Sequence, residues 1–284
     1  MANLYRKFKT QAELDVQYDV ESSVPDFGVY LRHFEEQNAK ALATLSPQMK
    51  LRYGETRPEY LDFYPAEGEA PPLLVFFHGG YWRMLASEDF AFAALGPVAT
   101  GFSVANVNYT LCPNVTMDEI VRQCRAAVAW LIRNEDLKFD RRRVIVAGHS
   151  AGGHLTAMCL LTNWEEDYGL PNDCLAGGIP VSGLFDLKPF PYTFLQPALQ
   201  LDMAQILRNS PQFHIRSGLP PVHVTYGAAE STEFHRQSEE FADAWEAAGN
   251  SVTRYAQPDK NHFTAMAEFE QAGTPVMEVL RGMV

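Results

Sequence analysis

Apolar and polar positions change their period along the chain, and the changes divide it into elements. Near the N-terminus the spacing is helical: within Val29 to Leu42, the apolar Leu31, Phe34 and Leu42 are separated by charged and polar residues. The pattern then alternates through Leu51-Arg52-Tyr53 and Tyr60 to Tyr64, which predicts the first strands. Pro71-Pro72 opens Leu73-Leu74-Val75-Phe76-Phe77, an unbroken apolar run. Such a run suits a strand covered on both faces, as in a parallel sheet. Strands and helices then take turns. Phe102 to Tyr109, Val144 to Ala147, Gly177 to Val181, Val222 to Tyr226 and Ser251 to Tyr255 read as strands. Thr116-Met117-Asp118-Glu119 is a capping box that opens a helix with Ile120, Cys124, Ala127 and Leu131 on one face. Ser231 to Ala248 is another helix, with Phe234, Phe241 and Trp245 on one face and Gly249-Asn250 as its stop. This alternation predicts a single α/β domain over 1–284, built on a mostly parallel, doubly wound sheet. Phe185 to Pro221 breaks the rhythm, crowding Phe190, Pro191, Tyr192, Phe194 and Pro197. A structureless loop of that length is uncommon in a compact domain unless it is functional. The segment 185–221 is therefore expected to be a small cap inserted over the site, in preference to a surface loop.

Composition narrows the class. With 46% hydrophobic and 12% aromatic residues the chain can fill one large core and still line an apolar pocket. The net charge of −12 and the lack of a basic stripe exclude a nucleic-acid partner. Arg141-Arg142-Arg143 reads as the solvated start of the strand that follows it. No apolar run is long enough to span a bilayer, so no membrane partner is expected. The polar stretch through Asp15 lacks the apolar centre of a secretory signal. The four cysteines (Cys112, Cys124, Cys159 and Cys174) form no C-x-x-C pair, which argues against zinc and redox motifs. Cys124 and Cys159 fall in helical patterns as small core residues. Together these features point to a reduced, cytoplasmic protein.

The chemistry gathers around Gly148-His149-Ser150-Ala151-Gly152. A bare G-x-S-x-G is weak, but here it sits between an apolar strand pattern and a small-residue helical pattern. Strand, sharp turn and helix are the setting of a nucleophile elbow, with glycines where side chains would clash. Serine needs a base to take its proton. His262, in Asn261-His262-Phe263 after the last strand, stands where that base is expected. His78 and His149 belong to the two motif loops, His154 reads as a packed helix residue, and His33, His214, His223 and His235 have no motif around them. The base needs a carboxylate to fix its tautomer. Glu230, after the strand Val222 to Tyr226 and the turn Gly227-Ala228-Ala229, is preferred to Asp186, which follows the preceding strand. A carboxylate at a helix start, favoured by the dipole, is the plainer reading of Glu230, and both readings can hold. Asp259 is too near His262 in sequence to be its partner. The third part is Phe77-His78-Gly79-Gly80-Tyr81-Trp82, after the buried strand. Adjacent glycines let N–H groups at Gly79 and Gly80 converge with that of Ala151 to form an oxyanion hole. A lone His-Gly-Gly is unspecific; its order before an elbow serine makes it informative.

His78-Gly79-Gly80-Tyr81-Trp82 and Gly148-His149-Ser150-Ala151-Gly152 together resemble the arylformamidase (kynurenine formamidase) group of α/β hydrolases. Ser182 to Leu187, Glu233 to Ser238 and Leu14 to Tyr18 carry the same resemblance, so it spans nearly the whole chain. The Tyr-Trp after the glycines is its most discriminating part. The broader hormone-sensitive-lipase-like esterases share His-Gly-Gly, and Tyr109 to Pro113 echoes them. The resemblance implies an α/β-hydrolase fold, a serine mechanism without cofactor, and N-acyl aromatic amines as substrates. It gives Ser150 as nucleophile, His262 as base, and Gly79, Gly80 and Ala151 as oxyanion donors. Kynurenine formamidases usually have aspartate where this chain has Glu230. The glutamate is more similar to N-acylanthranilate amidases and shifts the expected substrate toward another N-acyl arylamine. Tyr81, Trp82 and Phe185 are expected to wall an aromatic pocket; ordinary core packing is the plainer alternative. Arg83 lies near the same loop, where a substrate carboxylate could use it or where it could face solvent. A homodimer is suggested by the resemblance alone, since nothing in the pattern marks an interface. The rival readings are a general carboxylesterase with the same machinery, and an idle ligand receptor. The receptor is disfavoured because Ser150, Glu230 and His262 are all in place.

Overall fold

The computed structural model describes residues 3–284. Two helices lead: α1 (Gln11–Tyr18), capped by the Thr10 side chain, and α2 (Phe27–Leu45), capped by Asp26. Strands β1 (Gln48–Arg52), β2 (Tyr60–Tyr64) and β3 (Leu73–Phe77) follow. After a 3₁₀ segment and the short α3 (Leu95–Ala99) come β4 (Ser103–Val107), α4 (Met117–Arg133), β5 (Val144–His149) and α5 (Ala151–Leu160). The chain continues through α6 (Trp164–Tyr168), β6 (Gly177–Val181), α7 (Gln196–Leu199) and α8 (Met203–Asn209). It ends with β7 (Val222–Gly227), α9 (Thr232–Ala247), β8 (Val252–Gln257) and α10 (Pro275–Gly282). Among the described residues no helix is long and apolar enough to cross a membrane.

The strands form one sheet in the order β1-β2-β4-β3-β5-β6-β7-β8. β1, β2 and β4 pair antiparallel; every pairing from β4 through to β8 is parallel. The unbroken apolar run of β3 has the expected consequence. Leu73, Val75 and Phe77 pack with α4, α5 and α9 on one face, while Leu74 and Phe76 pack with Phe92, Phe102, Phe269 and α10 on the other. Successive side chains on a strand point to opposite faces, so a strand buried on both must be apolar throughout.

The order also fixes where a site can form. From β3 the chain crosses to β4 on one side, then returns to β5 on the other. Loops after β3 and β5 therefore leave the sheet in opposite directions and open a crevice at the carboxyl ends of these strands. His78-Gly79-Gly80 and Ser150 are the residues at those two ends.

The segment 185–221 is expected as a cap, and one of its residues, Phe194, lines the cavity. It folds as 3₁₀ turns and the helices α7 and α8, and buries Leu187, Phe190, Leu195, Leu199, Leu201 and Ile206 in the core beside α4, α5 and α9. Arg208 grips Asp118 of α4 through two hydrogen bonds of 3.0 and 2.9 Å. The N-terminal segment takes the position over the crevice. It is tied down by Tyr18 Oη donating to Glu233 of α9 at 3.0 Å and by Phe194 N–H donating to Asp15 at 2.8 Å.

Candidate active site

β5 runs directly into Ser150, and α5 begins at Ala151, so the chain reverses within one residue. Ser150 has φ 57° and ψ −115°, a region that L-residues rarely adopt. Its N–H donates to the Val181 carbonyl at 2.8 Å, which holds the strained backbone to β6. The flanking glycines are steric necessities. A Cβ on Gly152 would lie 1.9 Å from the Phe77 carbonyl oxygen, and one on Gly148 would lie 2.4 Å from the Gly152 oxygen. The turn delivers Ser150 to a cavity of about 360 Å³ that His149 and His262 also line.

His262 follows β8 on a short loop, and its Nδ1 is 2.9 Å from Glu230 Oε2. A carboxylate only accepts, so Nδ1 carries the hydrogen and leaves Nε2 with the lone pair. The other Glu230 oxygen accepts the Gly227 N–H at 2.7 Å and the Ser182 hydroxyl. Both side chains are buried. Asp186, the rival acid, lies elsewhere: it accepts from Tyr5 Oη at 2.9 Å and lies 3.7 Å from Arg236. His149 packs behind His262, donating from Nε2 to the His262 carbonyl at 2.9 Å with ring centroids 4.4 Å apart. Burial, and then the neighbouring His262, hold the His149 pKa well below the ordinary histidine value, so it is a neutral donor.

The loop after β3 is built to sit against the elbow. His78 is fully buried, donates from Nδ1 to the Gly79 carbonyl at 2.7 Å, and stacks on Tyr109 with centroids 4.1 Å apart. Tyr109 Oη in turn donates to the His78 carbonyl at 2.8 Å. Gly79 touches the elbow so closely that a Cβ there would lie 3.1 Å from the His149 oxygen. Gly80 has φ +106°, and a Cβ would meet the Met84 oxygen at 2.2 Å. Tyr81 and Trp82 continue in the left-handed region at φ 48° and 56°, and the N–H groups of Arg83 and Met84 close the turn on the Gly80 carbonyl at 3.0 and 3.1 Å. Across the crevice, Ala151 opens α5, where a first-turn N–H has no carbonyl of its own helix to meet and the helix end is positive.

Of the three expected pocket aromatics, one lines the cavity. Tyr81 does, with its hydroxyl donating to the Tyr18 carbonyl at 2.6 Å. Trp82 does not: it is fully buried, its indole N–H donates to His154 Nδ1 at 3.1 Å, and it packs edge-on against Phe190. Phe185 does not either: it lies face to face with Phe241 at 4.0 Å and fills the space that a Cβ on Gly183 would need. Both rings are core. The walls they were expected to form come from Tyr18, Phe27, Leu31 and Phe34 of the N-terminal segment, with Phe194 as the contribution of 185–221. The Phe263 ring, next to His262, packs against Phe27 and Tyr30 at 4.9 and 5.1 Å, which couples α2 to the base-bearing loop.

A kynurenine formamidase of Danio rerio is 30% identical to this chain over 98% of both proteins. The chain belongs to the kynurenine formamidase family. A second formamidase, from Salmo salar, is 31% identical over 88% of this chain and 86% of its own length. The BD-FAE family model matches residues 61–177, which run from β2 to the start of β6 and include both motif loops. Among solved structures, a candidate thioesterase from Silicibacter sp. superposes with a TM-score of 0.83 at 27% identity, covering 95% of this chain and 99% of its own. An esterase of Pyrobaculum calidifontis shares the fold at a TM-score of 0.70 and 17% identity, covering 96% and 97%. The fold is thus the α/β-hydrolase fold, and this formamidase-family chain is a hydrolase whose relatives cleave amides and esters. The N-terminal segment's place over the cavity is what its helical periodicity left unassigned. The signal was Phe27, Leu31 and Phe34, which follow one another at helical spacing on α2.

Proposed function

We propose that the chain is a serine hydrolase that cleaves the N-acyl amide of an aromatic amine, such as N-formylkynurenine or an N-acylanthranilate, through an acyl-enzyme. The observation that carries this reading is the 2.9 Å contact between Glu230 and His262 Nδ1, beside an elbow serine in one cavity of a formamidase-family chain. Ser150 Oγ attacks the acyl carbon, and its proton passes to His262 Nε2. The N–H groups of Gly80 and Ala151, with Gly79 shaping the loop, stabilise the oxyanion. His262 then gives the proton to the departing aryl nitrogen as the C–N bond breaks. Water, deprotonated by His262, attacks the acyl-enzyme and releases the carboxylic acid and Ser150. Glu230 keeps the imidazole in the required tautomer and stabilises its protonated form. Tyr81 belongs to the substrate-binding wall. The four free, buried cysteines suit a reducing compartment, and we place the protein in the cytoplasm.

The test is kcat/KM on N-formylkynurenine, N-acetylanthranilate, N-acetylaniline and p-nitrophenyl acetate, with Ser150→Ala as the blank. Turnover of an arylamide bearing an ortho carbonyl or carboxylate far above that of N-acetylaniline supports the amidase, and the formyl-to-acetyl preference chooses within it. Cleavage of the activated ester alone overturns it. That outcome supports the second reading, a small carboxylesterase, which is favoured by the partial match to esterase LipC of Mycobacterium tuberculosis, 30% identical over 42% of this chain.

A further inference from the structure

We infer that Arg83 forms an anion subsite in the cavity and selects acyl substrates whose leaving group bears a carboxylate. The inference rests on the hydrolase reading above and concerns the part of the substrate that does not react. Arg83 is the single cationic side chain among the described residues lining the cavity. The other half-buried arginines (Arg125, Arg141, Arg143 and Arg236) all donate to carbonyls or carboxylates. Among the described residues Arg83 has no ion pair, and its Nε is buried with no hydrogen-bond partner. Arg125 Nε is likewise buried without a partner, but its guanidinium donates to the Met158 carbonyl through a terminal nitrogen and lies outside the cavity lining, whereas the Arg83 guanidinium donates to no group among the described residues, so its desolvation has no return. A ligand carboxylate in the cavity supplies the missing partner, since the planar guanidinium presents paired donors that match its two oxygens.

The surroundings orient this fork. The guanidinium carbon lies 5.9 Å from the Phe194 ring centroid, so the flat cation rests near an aromatic face. Its backbone is bound to the oxyanion loop: Arg83 N–H donates to the Gly80 carbonyl at 3.0 Å. Gly80, Ser150 and Arg83 line the same cavity, so a substrate seated at Ser150 shares that space with the arginine. None of the acids that share the lining forms an ion pair with the arginine among the described residues. Asp19 accepts the Ser22 N–H at 3.2 Å and Asp89 accepts the Ala86 N–H at 2.9 Å, while Glu21 and Glu35 are exposed. Their repulsion leaves Arg83 as the favourable location for a negative charge.

The experiment is the ratio of kcat/KM for a carboxylated substrate to that for its neutral counterpart, 2-formamidobenzoate over formanilide, in the wild type, Arg83→Gln and Arg83→Lys. A charge-assisted bidentate contact predicts that Arg83→Gln lowers the ratio by roughly ten- to a hundredfold and that Arg83→Lys restores part of it. The ratio cancels any loss of folded enzyme. An unchanged ratio in Arg83→Gln overturns the subsite. If the wild type cleaves neither amide but cleaves aryl esters, the amidase reading fails alone, and 2-acetoxybenzoate over phenyl acetate reads Arg83 in the same way. Calorimetric binding of 2-aminobenzoate against aniline gives the answer without turnover: a wild-type preference for the carboxylated ring that Arg83→Gln abolishes supports the subsite, and equal binding of both overturns it.

Discussion

Glu230 and Asp186 both follow parallel strands, and a single contact separates their roles. Glu230 touches His262 Nδ1, whereas Asp186 is occupied by Tyr5 and Arg236. Glu230→Gln is therefore expected to lower kcat/KM about 10²–10⁴-fold, since an amide there no longer holds the tautomer and charge of the base. Asp186→Asn is expected to change it by less than about threefold. Steady-state rates on p-nitrophenyl acetate check both, and the reverse order would reassign the acid. Gly152 allows an equally sharp test of the elbow. A methyl group at this position would stand 1.9 Å from the Phe77 oxygen, so Gly152→Ala must displace β3 or α5. A loss of about 3 kcal/mol or more is expected in urea unfolding, and a loss below about 1 kcal/mol would show that the turn can relax. The positions that the structure brings together were legible because each obeys a local constraint: a glycine at a clash, a histidine after a strand, a serine between strand and helix. Trp82 and Phe185 were not legible. An aromatic ring serves equally as a wall or as core: the left-handed turn at Gly80, Tyr81 and Trp82 that buries Trp82 leaves no periodic trace, and Phe185 is placed by its stacking on Phe241 of a distant helix.

Among the elements, the strands were readable to within a few residues because burial on both faces demands unbroken apolar runs, as in β3 and β5. The antiparallel start and the roles of α2 and 185–221 were not. Both segments are interrupted helical stretches, and sequence does not say which face of the sheet receives them. The structure places Leu187, Phe190, Leu195, Leu199, Leu201 and Ile206 of 185–221 in the core, while α2 leaves Leu31 44% exposed at the cavity. Selectivity should therefore respond to α2. Leu31→Ala is expected to raise kcat/KM for longer acyl groups relative to acetyl by about threefold or more. Its cost in stability should stay under about 1 kcal/mol, as for a surface change. Leu199→Ala, deep in the core, is expected to cost about 2–5 kcal/mol and to leave the acyl profile alone. Paired urea titrations and acyl-chain series on the two variants decide the matter. A shifted profile in Leu199→Ala with none in Leu31→Ala would return the cap to 185–221.

For the whole molecule, the loops that meet at the sheet's crevice bring buried histidines with them, and those histidines set a pH limit on the fold. His78 in the loop after β3 and His154 in the first turns of α5 are fully buried, and burial pulls both pKa values down to about 4. In the unfolded chain each returns to about 6.5. Between those values the unfolded state binds more protons than the native one, so stability rises with pH across this window. The contribution is fully present above about pH 6.5 and is lost as the pH falls through about 4. At pH 5 each histidine is expected to remove about 2 kcal/mol relative to pH 7.5. His149, depressed in the same direction, adds to the loss. The ion-paired carboxylates Asp118, Glu119 and Asp140, whose pKa values are lowered, lose their contribution in a more acidic range, below the ordinary carboxylate values. Urea unfolding at pH 7.5, 6 and 5 thus isolates the histidines. A fall of several kcal/mol by pH 5 supports their burial as neutral bases. A flat profile over that interval would mean that the loops open and protonate while the sheet stays folded. The crevice would then be the first part of the molecule to yield in acid, and Ser150→Ala, lacking activity but not the buried histidines, should show the same profile as the wild type.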